Sequence, residues 1–225
     1  MTLNDNSIFY RRNLPHYQPP NAIFFITSRL ADSLPWKVIQ VLKGRLVCEE
    51  QRVMKAQDGI FRARKLAQLR NHYFRELDSM LDKVLCGPTW LGQDAVARIA
   101  ADTMLSFDKI RYNLICFTIM PNHIHLIADL NVEGVSVRPD TARLTQNNKY
   151  ALTSIMRLIK GRSAFQANGA LNRRGTFWQH ESYDHVIRSE GELERTVEYV
   201  LNNPVKAGLA KNWWDWKWSY VMNSL

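Results

Sequence analysis

The chain has 225 residues, and 46% of them are hydrophobic, which is enough for one domain with a substantial core. Its 30 lysine and arginine residues outnumber its 21 acidic residues, giving a formal net charge of +9. This charge is as consistent with a nucleic-acid partner as with a soluble protein that is simply basic. The sequence has no apolar run of about 18 residues and no apolar signal-peptide core, which argues against a membrane-spanning or secreted protein.

The cysteine pattern bears on the cellular compartment. Cys48, Cys86 and Cys116 are scattered and form no CxxC pair. This spacing argues against a zinc knuckle and against a disulfide framework. A reducing, cytosolic setting is therefore expected.

The N-terminal half is predicted to contain an arm, one strand and a long helical segment. Residues 1–20 are typical of an arm, whereas Ala22–Arg29 is apolar, aromatic and β-branched, as in a strand. The charge-rich stretch from Pro35 to about Leu85 predicts helices with a break near Asp58-Gly59. Gln93–Phe107 has apolar residues at helical spacing and predicts a further helix.

The C-terminal half is predicted to alternate strands and helices. Two apolar runs, Tyr112–Met120 and His123–Asp129, indicate a hairpin of buried strands around the turn at Pro121-Asn122. The elements predicted after this hairpin are a polar loop over 131–148, a helix over Tyr150–Ala167, a strand over Tyr183–Ile187 and a helix over Glu190–Asn202 that is ended by Pro204 and Gly208.

The order of these elements predicts an α+β fold. The first six match a ferredoxin-like (split βαβ) antiparallel sheet with helices on one face. The helical stretch at about 35–95 is then an insertion or an elaborated first crossover, and the helix that carries Tyr199 is an addition at the C-terminus. We expect residues 1–225 to form a single domain, with residues 1–20 as its N-terminal arm.

His123 and His125 form the most informative pattern in the chain. Because alternate residues of a strand point to the same face, their imidazoles are expected side by side in the middle of the sheet. Two neighbouring imidazoles can bind a divalent metal. The pair alone leaves open the alternative of two ordinary strand histidines.

Two further features add to the histidine pair. On the last predicted helix, Tyr199 and Asn203 are four residues apart and therefore share one face. A tyrosine at such a position is also typical of a half-buried core. In the arm, Tyr10-Arg11-Arg12 combines an aromatic ring with two positive charges, although a solvated terminus is the alternative.

Taken together, these motifs resemble those of a known family. The run FTIMPNHIHLIADL, followed downstream by FWQHESYDHVIR and ERTVEYVLNNPVKAGL, is similar to the single-tyrosine HUH transposases. Within that group it is most similar to the REP-associated tyrosine transposases. The resemblance covers residues 9–30 and about 110–220, and it leaves the segment at 35–95 unmatched.

The resemblance implies a role for each matching residue. His123 and His125 would bind the metal, and Asn203 would be its third ligand. Tyr199 would be the nucleophile, and Tyr10-Arg11-Arg12 would help to read guide bases near the foot of a DNA hairpin. The metal would be Mg²⁺ or Mn²⁺, because Mg²⁺ usually prefers oxygen ligands whereas Mn²⁺ accepts imidazole more readily.

The implied activity is cleavage and strand transfer of single-stranded DNA at hairpins through a 5′-phosphotyrosine intermediate. The resemblance favours a monomer in the prokaryotic cytoplasm, with a dimer that exchanges its tyrosine helix as the alternative. A non-cleaving nucleic-acid-binding protein and a metal-dependent hydrolase are the competing hypotheses. Tyr183 is the competing nucleophile, although it lies in a predicted strand and has no amide partner four residues later.

Basic residues outside the motifs are further candidates for DNA contacts. Arg157, Lys160 and Arg162 lie on one amphipathic helix and could contact phosphates, as could Lys206 near the end of the last helix. Each is equally consistent with a solvated charge. The tryptophan-rich tail, WWDWKWSY, could stack on unpaired bases, but covering a hydrophobic core is the preferred interpretation.

Overall fold

The structure, a computed structural model, describes residues 8–11, 15–19, 21–56, 58–84, 86–132 and 151–222. Side chains are described for all of these except residues 8–11, 15–18 and 151. Apart from its first two residues, the polar loop predicted over 131–148 lies outside the described residues. Within them, no helix is both long enough and apolar enough to cross a membrane.

A five-stranded antiparallel sheet forms the centre of the fold. Two short strands, β1 (Ile8–Arg11) and β2 (Pro15–Gln18), pair with each other outside this sheet. The strands of the sheet are β3 (Ile23–Arg29), β4 (Asn113–Ile119), β5 (His123–Asp129), β6 (Tyr183–Ile187) and β7 (Ser219–Val221), in the spatial order β6-β3-β5-β4-β7. Without β7, this is the arrangement of a ferredoxin-like sheet, and the predicted fold class is confirmed.

Helices cover both faces of the sheet. Within the described ranges, the α-helices are α1 (Trp36–Met54), α2 (Gly59–Asp82), α3 (Asp94–Leu105), α4 (Ala151–Ala170) and α5 (Glu190–Lys206). Helices α3 and α4 share one hydrophobic core with Ile124 and Leu126 of β5. Helix α5 and Phe74 of α2 share a second core with Ile127, on the opposite face of the same strand. Because side chains alternate along a strand, His123 and His125 lie on the face that α5 and α2 cover.

The last helix extends beyond its predicted end. Helix α5 begins after Ser189, whose hydroxyl accepts a hydrogen bond from the Glu192 amide, but it ends at Lys206 rather than at Asn202. The prediction was wrong because a helix can continue past a proline at the cost of one backbone hydrogen bond. The extra turn matters for the site, since it places both Asn203 and Lys206 on the helix.

Two pieces of sheet had no clear signal in the sequence. The β1–β2 pair lies in the predicted arm, where short polar runs and Pro15 argue against strands. Strand β7 lies in the tryptophan-rich tail, and it pairs with β4 through partners such as Phe117 and Tyr220. Strands β1, β2 and β7 are each only three or four residues long, so the alternation of apolar and polar residues that marks a strand is too short to recognise.

The two ends of the helical segment that contains α1 and α2 lie against each other at Asp32 and Gly87, and we call this contact the neck. Gly87 has φ +82°, and a Cβ added there would lie 2.2 Å from the backbone oxygen of Asp32. Asp32 itself has φ 59°, so both residues of this neck are in the left-handed region. The two ends of the segment are therefore packed backbone against backbone, which only glycine allows at position 87.

Gly87→Ala is expected to lower the free energy of unfolding by about 2–4 kcal/mol, because the new methyl group overlaps the Asp32 backbone and φ is positive. Urea unfolding followed by circular dichroism measures this change. Gly44→Ala is the matched control, because Gly44 lies within α1 and its added Cβ would meet nothing within 4 Å. Equal stability of Gly87→Ala and the unchanged protein would contradict the tight neck.

Candidate active site

The two histidines of β5 present their Nε2 atoms to each other at the centre of the site. Both side chains are fully buried, and the two Nε2 atoms lie 3.1 Å apart. Two ligands bound about 2.1 Å from one metal, at right angles, would have donor atoms about 3.0 Å apart. The spacing of the pair therefore fits two ligands of one shared cation.

Partners at the other ring nitrogens hold both imidazoles in place. The Nδ1 of His123 donates to the side-chain oxygen of Asn122 at 2.7 Å, and the Asn122 amide in turn donates to the Leu81 carbonyl at 3.0 Å. The Nδ1 of His125 lies 2.8 Å from the Thr27 hydroxyl. A proton on Nδ1 leaves the Nε2 lone pair free, as a metal ligand requires.

The surroundings keep both imidazoles neutral. Burial lowers the pKa of His123 to about 3, with a further contribution from His125. Burial also lowers the pKa of His125 to about 3, with a further contribution from the positive charge of Lys206. Since only the neutral ring can bind a metal, both histidines are in the binding form at physiological pH.

Helix α5 brings Tyr199 and Lys206 to the histidines from one side. The Tyr199 ring is centred 5.8 Å from that of His125, and Lys206 lies 5.7 Å from the centre of the Tyr199 ring. Asn203, one turn after Tyr199 on the same face, is fully buried. Burial, followed by the charge of Asp78, raises the pKa of Tyr199 well above its ordinary value, so its hydroxyl is protonated in this state.

Helix α2 closes the site from the other side with two carboxylates. The Tyr199 hydroxyl donates to Oδ2 of Asp78, and Oδ1 of Asp78 lies 3.4 Å from Nε2 of His125. Oδ1 of Asp82 lies 4.0 Å from Nε2 of His123, while its Oδ2 accepts a 2.6 Å hydrogen bond from Lys206. Burial raises the pKa of Asp82, and the hydrogen bond from Lys206 opposes this effect.

Several buried polar side-chain atoms at this site have no hydrogen-bond partner among the described residues. Among the described residues, the buried side-chain atoms without a hydrogen-bond partner are Oδ1 of Asp78, Oδ1 of Asp82 and both polar atoms of the Asn203 amide. One ligand atom each from Asp78, His123 and His125 lie within 4.8 Å of one another. Unpaired buried oxygens beside neutral imidazoles are costly in a bare protein, and a divalent cation would satisfy them. The donor set therefore fits a divalent metal.

The competing nucleophile, Tyr183, lies in a different environment. Its ring stacks on Phe74 with centroids 4.1 Å apart, and its hydroxyl donates to Asn71 at 3.5 Å. In the same strand, His185 is 2.8 Å from Glu192 at the start of α5. Tyr183 therefore packs in the core beside the site, whereas Tyr199 contacts the carboxylate next to the histidines.

The basic residues predicted to contact DNA differ in their surroundings. Lys160 donates to the carbonyls of Gln179 and His180, at 2.5 and 2.9 Å, so it fixes the segment before β6. Arg162 lies over Phe107 and donates to Ser106, whereas Arg157 is exposed. A DNA role stays a prediction for Arg157, Lys160, Arg162 and Lys206. Of the arm triplet, Tyr10 and Arg11 lie in β1 with undescribed side chains, and Arg12 lies outside the described residues.

The tryptophan-rich tail packs against the rest of the fold at several points. Trp213 contacts the core beneath α5, and Trp218 contacts the core on the opposite face of the sheet. The indole nitrogen of Trp216 donates to the Ile119 carbonyl at 3.0 Å. Trp214, which is 66% exposed, is the member still available to a ligand.

Comparisons with known proteins place the motifs in context. No family model matches the chain. A Haemophilus influenzae protein, whose curated name assigns it provisionally to the REP-associated tyrosine transposases, is 29% identical over 111 residues, which are 48% of this chain and 58% of that protein. An uncharacterized protein from the same organism is 34% identical over 97 residues, 40% of this chain and 52% of its own length. The chain therefore spans little more than half of the curated relatives that it matches.

One solved structure is also similar over most of the chain. It is that of a REP-associated tyrosine transposase bound to a REP hairpin, with a TM-score of 0.46 and 18% identity. The alignment covers 93% of this chain and 80% of the other.

Proposed function

We propose that the chain is a metal-dependent endonuclease and strand transferase that acts on single-stranded DNA at hairpins, with Tyr199 as nucleophile. His123, His125 and Asn203 hold the metal in this proposal. The observation that supports it best is the contact between the Tyr199 hydroxyl and a carboxylate that lies 3.4 Å from His125, since a tyrosine beside a candidate metal centre is suited to the role of nucleophile. The name of the first curated relative supports the same activity.

The chemistry follows from the residues that surround Tyr199. The phenol releases its proton to water as its oxygen attacks the scissile phosphorus, the bond from phosphorus to the 3′ oxygen breaks, and the departing oxygen takes a proton from water to become a 3′-OH. The bound metal would supply positive charge to a phosphate oxygen. Thr27 and Asn122 fix the imidazoles, while Asp78 fixes the direction of the tyrosine hydroxyl. The phosphotyrosine retains the energy of the broken bond, so a new 3′-OH can reseal the strand.

The position of α5 supports action by a monomer. Tyr199 meets His125 within one chain, because α5 packs on its own sheet and no exchange of helices is needed to assemble the site. The histidines and Asn203 are fully buried, so DNA must widen the cleft between α2 and α5 before a phosphate reaches them. The basic arm and the exposed Arg157 are the proposed contacts with the hairpin. Prokaryotic cytoplasm is the proposed location.

Incubation of the protein with a labelled single-stranded DNA hairpin and Mn²⁺ tests the function directly. We expect a covalent protein–DNA adduct that survives a denaturing gel and disappears when EDTA is added before the DNA. Binding without cleavage would instead identify a nucleic-acid-binding protein. Metal-dependent cleavage without any adduct would identify a hydrolase, and either result would overturn the proposal.

A further inference from the structure

We propose that Asp78, on helix α2, is a ligand of the metal and that its second carboxylate oxygen positions the nucleophilic hydroxyl. The inference rests on the proposed function for the presence of a metal and for the role of Tyr199. It adds a ligand from a part of the chain that the family motifs do not cover. Helix α2 would then form a wall of the active site.

The first argument is the environment of the carboxylate. Asp78 is 0% exposed, and its Oδ1 has no hydrogen-bond partner among the described residues. The same oxygen lies 3.4 Å from Nε2 of His125, on the side from which the two imidazoles present their lone pairs. A buried carboxylate oxygen without a partner is strongly unfavourable unless a cation or a donor satisfies it. Coordination of the metal that the histidines bind would satisfy it.

The second argument is that the two carboxylate oxygens of Asp78 face different groups. Oδ2 of Asp78 accepts the hydrogen bond of the Tyr199 hydroxyl, so Oδ1 is the oxygen that faces His125. One carboxylate can therefore contact the metal and the nucleophile at the same time. This arrangement would hold the hydroxyl within reach of a phosphate bound to the same ion.

Asp82, one turn later on α2, shares the unpaired buried Oδ1 but has different neighbours. Its Oδ2 is paired with Lys206 at 2.6 Å, and its Oδ1 is 4.0 Å from the nearer histidine nitrogen. Lys206 therefore neutralises Asp82, whereas the partners of Asp78 are Tyr199 and His125. Asp82→Asn is the comparison variant, because Asp82 is an aspartate of the same helix beside the same histidine pair.

A carboxylate ligand also changes which metal the site accepts. Two imidazoles alone favour Mn²⁺ over Mg²⁺, whereas each added oxygen donor improves the site for Mg²⁺. Asp78 and the amide oxygen of Asn203 would supply two such donors. With the two histidines, these oxygens would hold the ion from the protein side, and the ion could still bind a phosphate oxygen and water.

Isothermal titration of the protein with MnCl₂ and with MgCl₂, in the absence of DNA, tests the inference. In Asp78→Asn, which keeps the shape of the side chain, the Kd for Mg²⁺ is expected to rise about 100-fold, and the Kd for Mn²⁺ by less. In Asp82→Asn, the rise in the Kd for Mg²⁺ is expected to be at least about tenfold smaller than in Asp78→Asn, whereas Asp102→Asn, which changes an exposed aspartate of α3, should leave both Kd values unchanged. Thermal unfolding of each variant in EDTA checks that the fold is retained.

The outcomes separate this inference from the proposed function. Unchanged Mg²⁺ binding in Asp78→Asn, or an equal loss in Asp82→Asn, would overturn the role of Asp78. If His125→Ala then abolishes binding, the metal centre itself still stands; if His125→Ala binds normally, the metal centre fails as well. Should Asp78→Asn not fold, Asp78→Ala with added sodium formate replaces it, and failure of formate to restore Mg²⁺ binding counts against the inference.

Discussion

The Tyr199→Phe protein is expected to bind hairpin DNA as tightly as the unchanged protein and to form no covalent adduct. The substitution removes only the oxygen that would attack phosphorus, so the cleavage rate should fall at least about 1000-fold. The ring contacts with His125 and Phe25, at centroid distances of 5.8 and 6.0 Å, do not involve that oxygen. A gel-shift assay measures binding, and a denaturing gel with 5′- and 3′-labelled strands measures cleavage.

Tyr183→Phe is the matched control for this experiment. Its hydroxyl makes a 3.5 Å hydrogen bond to Asn71, and its ring packs on Phe74 in the same core. Cleavage should therefore be close to that of the unchanged protein. An adduct that persists in Tyr199→Phe and is lost in Tyr183→Phe would transfer the nucleophilic role to Tyr183.

His125→Ala is expected to lose metal binding and metal-dependent cleavage together, with DNA binding retained. Removing one of two imidazoles that share an ion should weaken Mn²⁺ binding at least about 100-fold, and cleavage should fall at least about 1000-fold. Titration calorimetry without DNA measures the first effect, and the denaturing gel measures the second. Raising the Mn²⁺ concentration should recover part of the cleavage, because the other ligands remain.

His180→Ala provides the comparison for the histidine variant. His180 is exposed on the segment before β6, and its backbone carbonyl rather than its ring accepts the Lys160 hydrogen bond. Metal binding and cleavage should therefore be unchanged. Cleavage by His125→Ala at the normal rate, or cleavage by the unchanged protein in excess EDTA, would show that the reaction does not use this metal centre.

Sequence patterns predicted the parts of the fold that have long, regular elements. The β4–β5 hairpin follows from two apolar runs around Pro121-Asn122, and the shared face of Tyr199 and Asn203 follows from their spacing on a helix. The β1–β2 pair and β7 were not predicted, because they are too short to show periodicity. The position of the last helix over the histidines could be expected from the family resemblance, but not from the helix itself.

The acidic side of the site was missed for a physical reason. Asp78 lies four residues after Phe74 and three residues before Leu81, and both of these residues are buried. It therefore occupies the apolar stripe of α2. A carboxylate in such a stripe is a signal of a buried functional group, but the many exposed charges of the same segment obscure it. Which strand the stripe would face depends on the neck at residues 32 and 87, and no local pattern predicts that contact.

The neck at Asp32 and Gly87 has a consequence for the way the site is assembled from parts of the chain. Because the two backbones touch there, a chain shortened between these residues would join the same two ends, and β3 and α3 would need no rearrangement. Such a shorter protein would keep both imidazoles and the Asn203 amide, but it would lack the carboxylate of Asp78. The candidate metal site is therefore a composite, in which the sheet and the last helix supply one set of donors and the helical segment between residues 32 and 87 supplies the carboxylate of Asp78.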